Sequence, residues 1–158
     1  MDTKFLSRHE AETITRDFKN GFLRPSLERK KIALISIVSP DDEEGETSTP
    51  SLDGYWYKVL YLRFHDIDTT NCSDEWVARY TPFNDEHIQQ IKEFLKSVEN
   101  DVDGVWVHCE AGISRSAAVA KYIDLKYDCK VFPDSYSLYN KFIYGKLRYD
   151  FHSEQYSN

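Results

Sequence analysis

Val105-Trp106-Val107-His108-Cys109-Glu110-Ala111-Gly112-Ile113-Ser114-Arg115-Ser116-Ala117-Ala118-Val119-Ala120 is the stretch that decides how this chain folds. An apolar run leads into a short polar loop, and a small, alanine-rich run leads out. The pattern reads as strand, tight loop and helix. A loop of this kind turns backbone N–H groups inward and sits at a helix N-terminus, which makes an anion cradle. Cys109 stands at the start of the loop, where a thiolate can attack an atom held at the centre. Arg115 stands six positions later, where a planar fork can grip two oxygens of the same anion. Gly112, between them, permits the close turn. The helix dipole disfavours an arginine at this position, and a bound dianion removes that objection. Together these parts make a nucleophile aimed at a bound phosphate.

The rest of the chain supplies strands and helices in alternation. Ser7-Arg8-His9-Glu10 reads as a capping box opening a helix to Phe18, which Asn20-Gly21 ends. Lys31 to Ser39 is too continuously apolar for a half-exposed strand and reads as a buried one, stopped by Pro40. Asp41 to Pro50 is an acidic loop, and Tyr55 to Phe64 is a second strand. His65-Asp66-Ile67-Asp68 follows, and Thr69 to Thr81 is irregular and polar. Phe83-Asn84-Asp85-Glu86 opens a helix whose apolar positions Ile88, Ile91, Phe94, Leu95 and Val98 recur at helical spacing. The loop helix runs from Ser114 to Tyr127, and a last helix is expected from Pro133 to Leu147. This order predicts an α/β fold: a central, mostly parallel sheet flanked by helices on both faces. Ligands in such sheets sit beyond the carboxyl ends of the strands. Cys109 and the pair Asp66/Asp68 both fall there.

At 158 residues the chain is expected to form a single domain, 1–158. The net charge of −7 repels nucleic acid and anionic membranes, so neither is an expected partner. The longest apolar run, Ile32 to Val38, is broken by Ser36 and is too short to span a bilayer. Met1-Asp2-Thr3-Lys4-Phe5 carries no apolar signal core, so a cytoplasmic, monomeric protein is the expectation. Cys72, Cys109 and Cys129 are an odd and widely spaced set, which argues against a disulfide framework. No Cys-x-x-Cys pair or His/Cys cluster suggests zinc, and neither metal nor cofactor is expected.

His108-Cys109-x5-Arg115-Ser116 resembles the signature loop of the cysteine-dependent protein tyrosine phosphatases. The Ser-Arg-Ser ending is most similar to the compact dual-specificity branch with its bacterial and viral relatives. The likeness covers the loop, the strand before it, the helix after it and, more loosely, Lys30 to Asp68. It implies Cys109 as nucleophile and Arg115 as clamp on two equatorial phosphate oxygens. It implies Ser116 as the hydroxyl that hydrogen-bonds the sulfur and His108 as a residue that fixes the loop. Glu110, Ala111, Gly112, Ile113 and Ser114 would supply main-chain N–H groups. The family's proton donor is an aspartic acid after another strand. Here Asp66 and Asp68 both qualify, and their equal parity means that strand alternation cannot separate them. Phe64-x-Asp66 resembles the aromatic-x-Asp of several relatives and makes Asp66 the preferred acid, with Asp68-Thr69 the alternative. Asp66 stands further before Cys109 than in compact relatives. The excess falls in 69–81, which implies an enlarged acid loop. Trp76 and Tyr80 there either flank a substrate ring or pack the loop onto the body.

The expected function is hydrolysis of protein phosphotyrosine, with phosphoserine and phosphothreonine open, through a phosphocysteine intermediate. The alternatives are a non-catalytic phosphotyrosine-binding module, or a phosphatase of a non-protein substrate such as an RNA 5′-phosphate or a phosphoinositide. Loops that serve such polyanions usually carry extra lysines, whereas Glu110 adds negative charge.

Overall fold

Seven consecutive residues, Ile32–Val38, are buried without a break, as only a strand covered on both faces can be. In the computed structural model, which describes residues 1–40, 48–133 and 135–156, this segment is the inner strand β2 of a four-stranded parallel sheet. The elements run β1 (Phe5–Ser7), α1 (Arg8–Lys19), α2 (Pro25–Glu28), β2, β3 (Val59–Arg63), α3 (Asp74–Val77), α4 (Asp85–Val98), β4 (Gly104–Cys109), α5 (Arg115–Tyr127) and α6 (Lys141–Tyr156). The strand order is β1-β4-β2-β3 and every pairing is parallel. Most of the acidic loop expected over 41–50 lies outside the described residues. Among the described residues no helix is long and apolar enough to cross a membrane.

Strand alternation sorts the core into two layers. Ile32, Leu34, Trp106 and Leu6 face α1 with Ala11, Leu52, Tyr55 and Trp56. Ala33, Ile35, Ile37, Val105, Val107 and Cys109 face the opposite way, among the buried residues of α4, α5 and α6. Helices therefore cover both faces, as expected. The sulfur of Cys109 belongs to the layer that also holds the start of α5.

Ser7 closes β1 and caps α1. Its hydroxyl accepts from the Glu10 N–H, and the Glu10 carboxylate accepts from the Ser7 N–H, at 3.1 and 3.0 Å. Asn84 caps α4 in the same reciprocal way with His87. Phe83 stacks on the His87 ring and meets Phe64 edge-on, which seats the end of β3.

Three of the expected segments depart from the sequence reading, and β1 and α2 were not expected. The strand expected from Tyr55 starts at Val59, because Tyr55 and Trp56 are apolar for another reason. Their polar tips donate to the Leu27 carbonyl and the Thr15 hydroxyl, at 2.6 and 2.9 Å, and both rings pack on the α1 side. The last helix starts at Lys141 and runs to Tyr156, not from Pro133 to Leu147. Phe132 and Tyr136 gather around Phe5 with ring centroids 5.3 and 5.0 Å away, so Tyr136 belongs to a packed loop and not to a helix. Asp134, inside the expected helix, lies outside the described residues. Segment 69–81, expected to be irregular, contains a short 3-10 turn (Thr69–Asn71) and α3.

Removing the Ser7 hydroxyl should cost about 1 kcal/mol. Urea denaturation of Ser7→Ala should show a lower midpoint with an unchanged slope, and an unchanged midpoint would contradict the capping role.

Candidate active site

β4 ends at Cys109 and α5 begins at Arg115, so five residues turn the chain from strand to helix. Gly112 makes the turn with φ +71°, in the left-handed region that side chains disfavour. A Cβ at Gly112 would lie 2.4 Å from Ser7 N and 2.5 Å from the Leu6 carbonyl carbon. The loop thus lies directly on the backbone of β1. Ser7 pairs with Cys109 in the sheet, and the Arg8 N–H donates to the Glu110 carbonyl at 3.1 Å.

Cys109 is buried, and its sulfur has two hydrogen-bond partners. The Gly112 N–H donates to Sγ at 3.3 Å, and Sγ donates to the Ser116 hydroxyl oxygen at 3.2 Å. The other cysteines differ. The Cys72 thiol donates to the Asp68 carbonyl at 2.8 Å, and burial above all pushes the Cys129 thiol up to about 11.

His108 is fully buried between two partners. Its Nδ1 lies 3.1 Å from the Cys109 carbonyl, which can only accept, so Nδ1 carries the proton. Nε2 is then left to accept from the Ser36 hydroxyl, 2.6 Å away on the register partner in β2. Burial is the largest influence and lowers the His108 pKa below its ordinary value. A neutral ring with both nitrogens engaged fixes the backbone at Cys109.

Arg115 is only 6% exposed although it carries a charge. Its Nη1 donates to the Ser39 hydroxyl at 3.0 Å and to the Phe64 carbonyl at 2.9 Å. Both Nη1 hydrogens are so used, and Nε and Nη2 keep no partner among the described residues. No carboxylate among those residues pairs with the guanidinium. A desolvated, half-engaged guanidinium beside a ring of loop amides is a site for an anion. Glu110 does not oppose this, since its carboxylate turns out to Arg8 at 3.3 Å.

Asp66 and Asp68 part company. The Ser114 hydroxyl donates to Asp66 Oδ1 at 2.8 Å, which joins Asp66 to the loop itself. Ser114 stands at the N-cap of α5 but makes no side-chain cap, because its hydroxyl is used on Asp66. The Asn140 amide donates to the same Asp66 oxygen, also at 2.8 Å. Asp68 instead caps the 3-10 turn, accepting from the Thr70 N–H at 2.9 Å, and that hydrogen bonding holds its carboxyl below the usual range. Segment 69–81 returns to the base of the acid loop. The His65 N–H donates to the Thr81 carbonyl and the Thr81 N–H to His65 Nδ1, at 2.7 and 2.8 Å. Trp76 lies against Tyr80, and Tyr80 meets His65 edge-on, at 4.9 and 5.1 Å. Of the two readings of these aromatics, packing onto the body is the contact present, with Trp76 still 45% exposed.

Five residues at the site escaped the sequence reading: Arg8, Ser36, Ser39, Tyr136 and Asn140. The Tyr136 hydroxyl donates to the Ile113 carbonyl at 2.5 Å, and its phenol is pushed up, first by burial and then by the Cys109 charge. Ser36 did leave a signal, since a hydroxyl inside an otherwise apolar buried strand needs a partner. Asn140 left none; its partner Asp66 is 74 residues away.

The family model "Dual specificity phosphatase, catalytic domain" matches residues 64–142, from the end of β3 to the start of α6. No curated protein matches the chain.

The buried His108 makes the fold sensitive to acid. Its ordinary value is about 6.5, so the unfolded chain takes up a proton below that pH and the native chain resists it. Stability should be complete above about pH 6.5 and fall as the pH drops through the depressed native value. Urea midpoints at about pH 7.5 and about pH 5.5 should differ more in the wild type than in His108→Asn. An equal drop in both would transfer the effect to another group, first to His87, which burial also depresses.

Proposed function

The chain belongs to the dual specificity phosphatase family, and from that premise we propose that it dephosphorylates phosphotyrosine in proteins through a phosphocysteine intermediate. Phosphoserine and phosphothreonine are the further substrates to test. The observation that carries this reading is the hydrogen bond from Ser114 to Asp66. It sets a carboxyl group beside the loop that bears Cys109 and Arg115.

The chemistry follows from the parts. A phosphate dianion enters the ring of loop amides from Glu110 to Ser114, and the free edge of Arg115 grips two equatorial oxygens. The Cys109 thiolate attacks phosphorus in line. The P–O ester bond breaks, its electrons go to the departing oxygen, and the protonated Asp66 hands that oxygen its proton. In the second step the Asp66 carboxylate takes a proton from water. The water oxygen bonds to phosphorus and the P–S bond breaks. The sulfur leaves as a thiolate, stabilised by the Ser116 hydroxyl and the Gly112 N–H. His108 holds the loop and transfers no proton. No step calls for a metal ion.

Three features favour a protein substrate. The loop offers no lysine for a polyphosphorylated headgroup. The overall charge of −7 disfavours RNA. Half-exposed Ile113 at the rim suits an aryl group.

Cys109→Ser should abolish turnover of an aryl phosphate while phosphopeptide binding survives. Asp66→Asn should lower kcat for a poor leaving group by about 10²–10⁴. Vanadate should compete with substrate, and EDTA should leave the rate as it is. A larger loss from Asp68→Asn than from Asp66→Asn would move the acid to Asp68. Phosphopeptide binding without hydrolysis by the wild type would make the protein a binding module.

A further inference from the structure

Asn140 is the junction at which three parts of the site meet. Its backbone N–H donates to the Ser114 carbonyl at 3.1 Å, and its carbonyl accepts from the Tyr144 N–H at 3.1 Å. Its Oδ1 accepts from the Ile143 N–H at 2.9 Å and caps α6. Its Nδ2 donates to Asp66 Oδ1 at 2.8 Å and to the Ile67 carbonyl at 3.3 Å. The chemistry of these partners sets the orientation of the amide. One end faces a backbone donor, and the other faces a carboxylate and a carbonyl, which accept. One side chain therefore ties the acid loop to α6, and its backbone ties α6 to the anion loop. The base is firm: α6 is 16 residues long, and Ile143 and Leu147 are buried in the core with α5.

We propose that Asn140 is a positioning residue that, with Ser114, fixes the rotation of the Asp66 carboxyl group so that Oδ2 alone carries the proton; this rests on Asp66 being the acid. Both donors fall on Oδ1, each at 2.8 Å. An oxygen that accepts two donors is not the one that binds a proton. The proton then resides on Oδ2, which is left to meet the departing oxygen and later the attacking water. The acid loop is not left to find its place. Two side chains from two other elements hold it, one of them from the anion loop itself. A misplaced carboxyl would lose rate on reactions that need its proton and little on those that do not.

The test compares two esters: phenyl phosphate, whose poor leaving group needs a proton, and a fluorinated aryl phosphate, whose good one does not. Asn140→Asp keeps the oxygen that caps α6, since Asp and Asn cap equally well, but it removes the donor and sets a carboxylate against Asp66. The expected result is a fold of near-native Tm and a KM close to wild type. For phenyl phosphate kcat/KM, which reports ester cleavage and not the later hydrolysis common to both substrates, should fall by about 10–10², a loss about tenfold greater than on the fluorinated ester. Added to Asp66→Asn, the substitution should cause no further loss. Ser114→Ala, which leaves the α6 cap intact, should give the same ester dependence. Equal losses on both esters, or a loss that persists in the Asp66→Asn background, would overturn the inference and leave Asn140 a helix cap only. If Asp66→Asn itself spares phenyl phosphate, the acid assignment fails and takes the inference with it.

Discussion

The site depends on one contact, the seating of Gly112 on the backbone of β1. No side chain fits between them, and the glycine's positive φ turns the chain just after Cys109. Everything nearby follows from that seat. Ser7 pairs with Cys109, Arg8 receives Glu110 in both backbone and side chain, and the Gly112 N–H is left to face the sulfur. A three-residue edge strand near the start of the chain thus supports chemistry placed a hundred positions later. Its shortness is no weakness, because α1 starts at once from the Ser7 cap and anchors it.

Charge is arranged as carefully as shape. Arg115 is buried with no carboxylate partner among the described residues, so none of these compensates its charge. Its hydrogen bonds go to neutral acceptors, a serine and a carbonyl, which fix its direction without neutralising it. Glu110, the one acidic residue of the loop, is drawn outward by Arg8. His108 is kept neutral by burial. An incoming dianion would therefore meet a directed positive charge in a place that water reaches poorly, where such an interaction is strongest.

The parts that were legible in the sequence share a property: their cause is local. The continuous apolar run of β2, the Ser7–Glu10 capping box, the helical spacing of α4 and the loop between β4 and α5 are each explained by neighbours along the chain. The misreadings share the opposite property. Tyr55 and Trp56 are apolar because α1 covers them, and Tyr136 because Phe5 and Phe132 stand beside it, so their apolar character carried no information about a strand or helix. β1 is too short to show any periodicity. In the site, the residues of the loop could be read together because they adjoin. Asp66 and Asp68 share a parity in the sequence and differ in partners only in the fold, where one is bonded to Ser114 and the other caps a turn. Asn140 reaches Asp66 only through the folded chain.

The central claim is that the sulfur of Cys109 attacks a phosphorus atom held between the loop amides and Arg115. The most direct measurement is intact and peptide-level mass spectrometry of the Asp66→Asn protein, mixed with an activated aryl phosphate and quenched in acid. Slowed hydrolysis should let the intermediate accumulate, and a single phosphoryl group should be found on Cys109. A phosphoryl group on another residue, or turnover of substrate with no covalent adduct on the protein, would contradict the account.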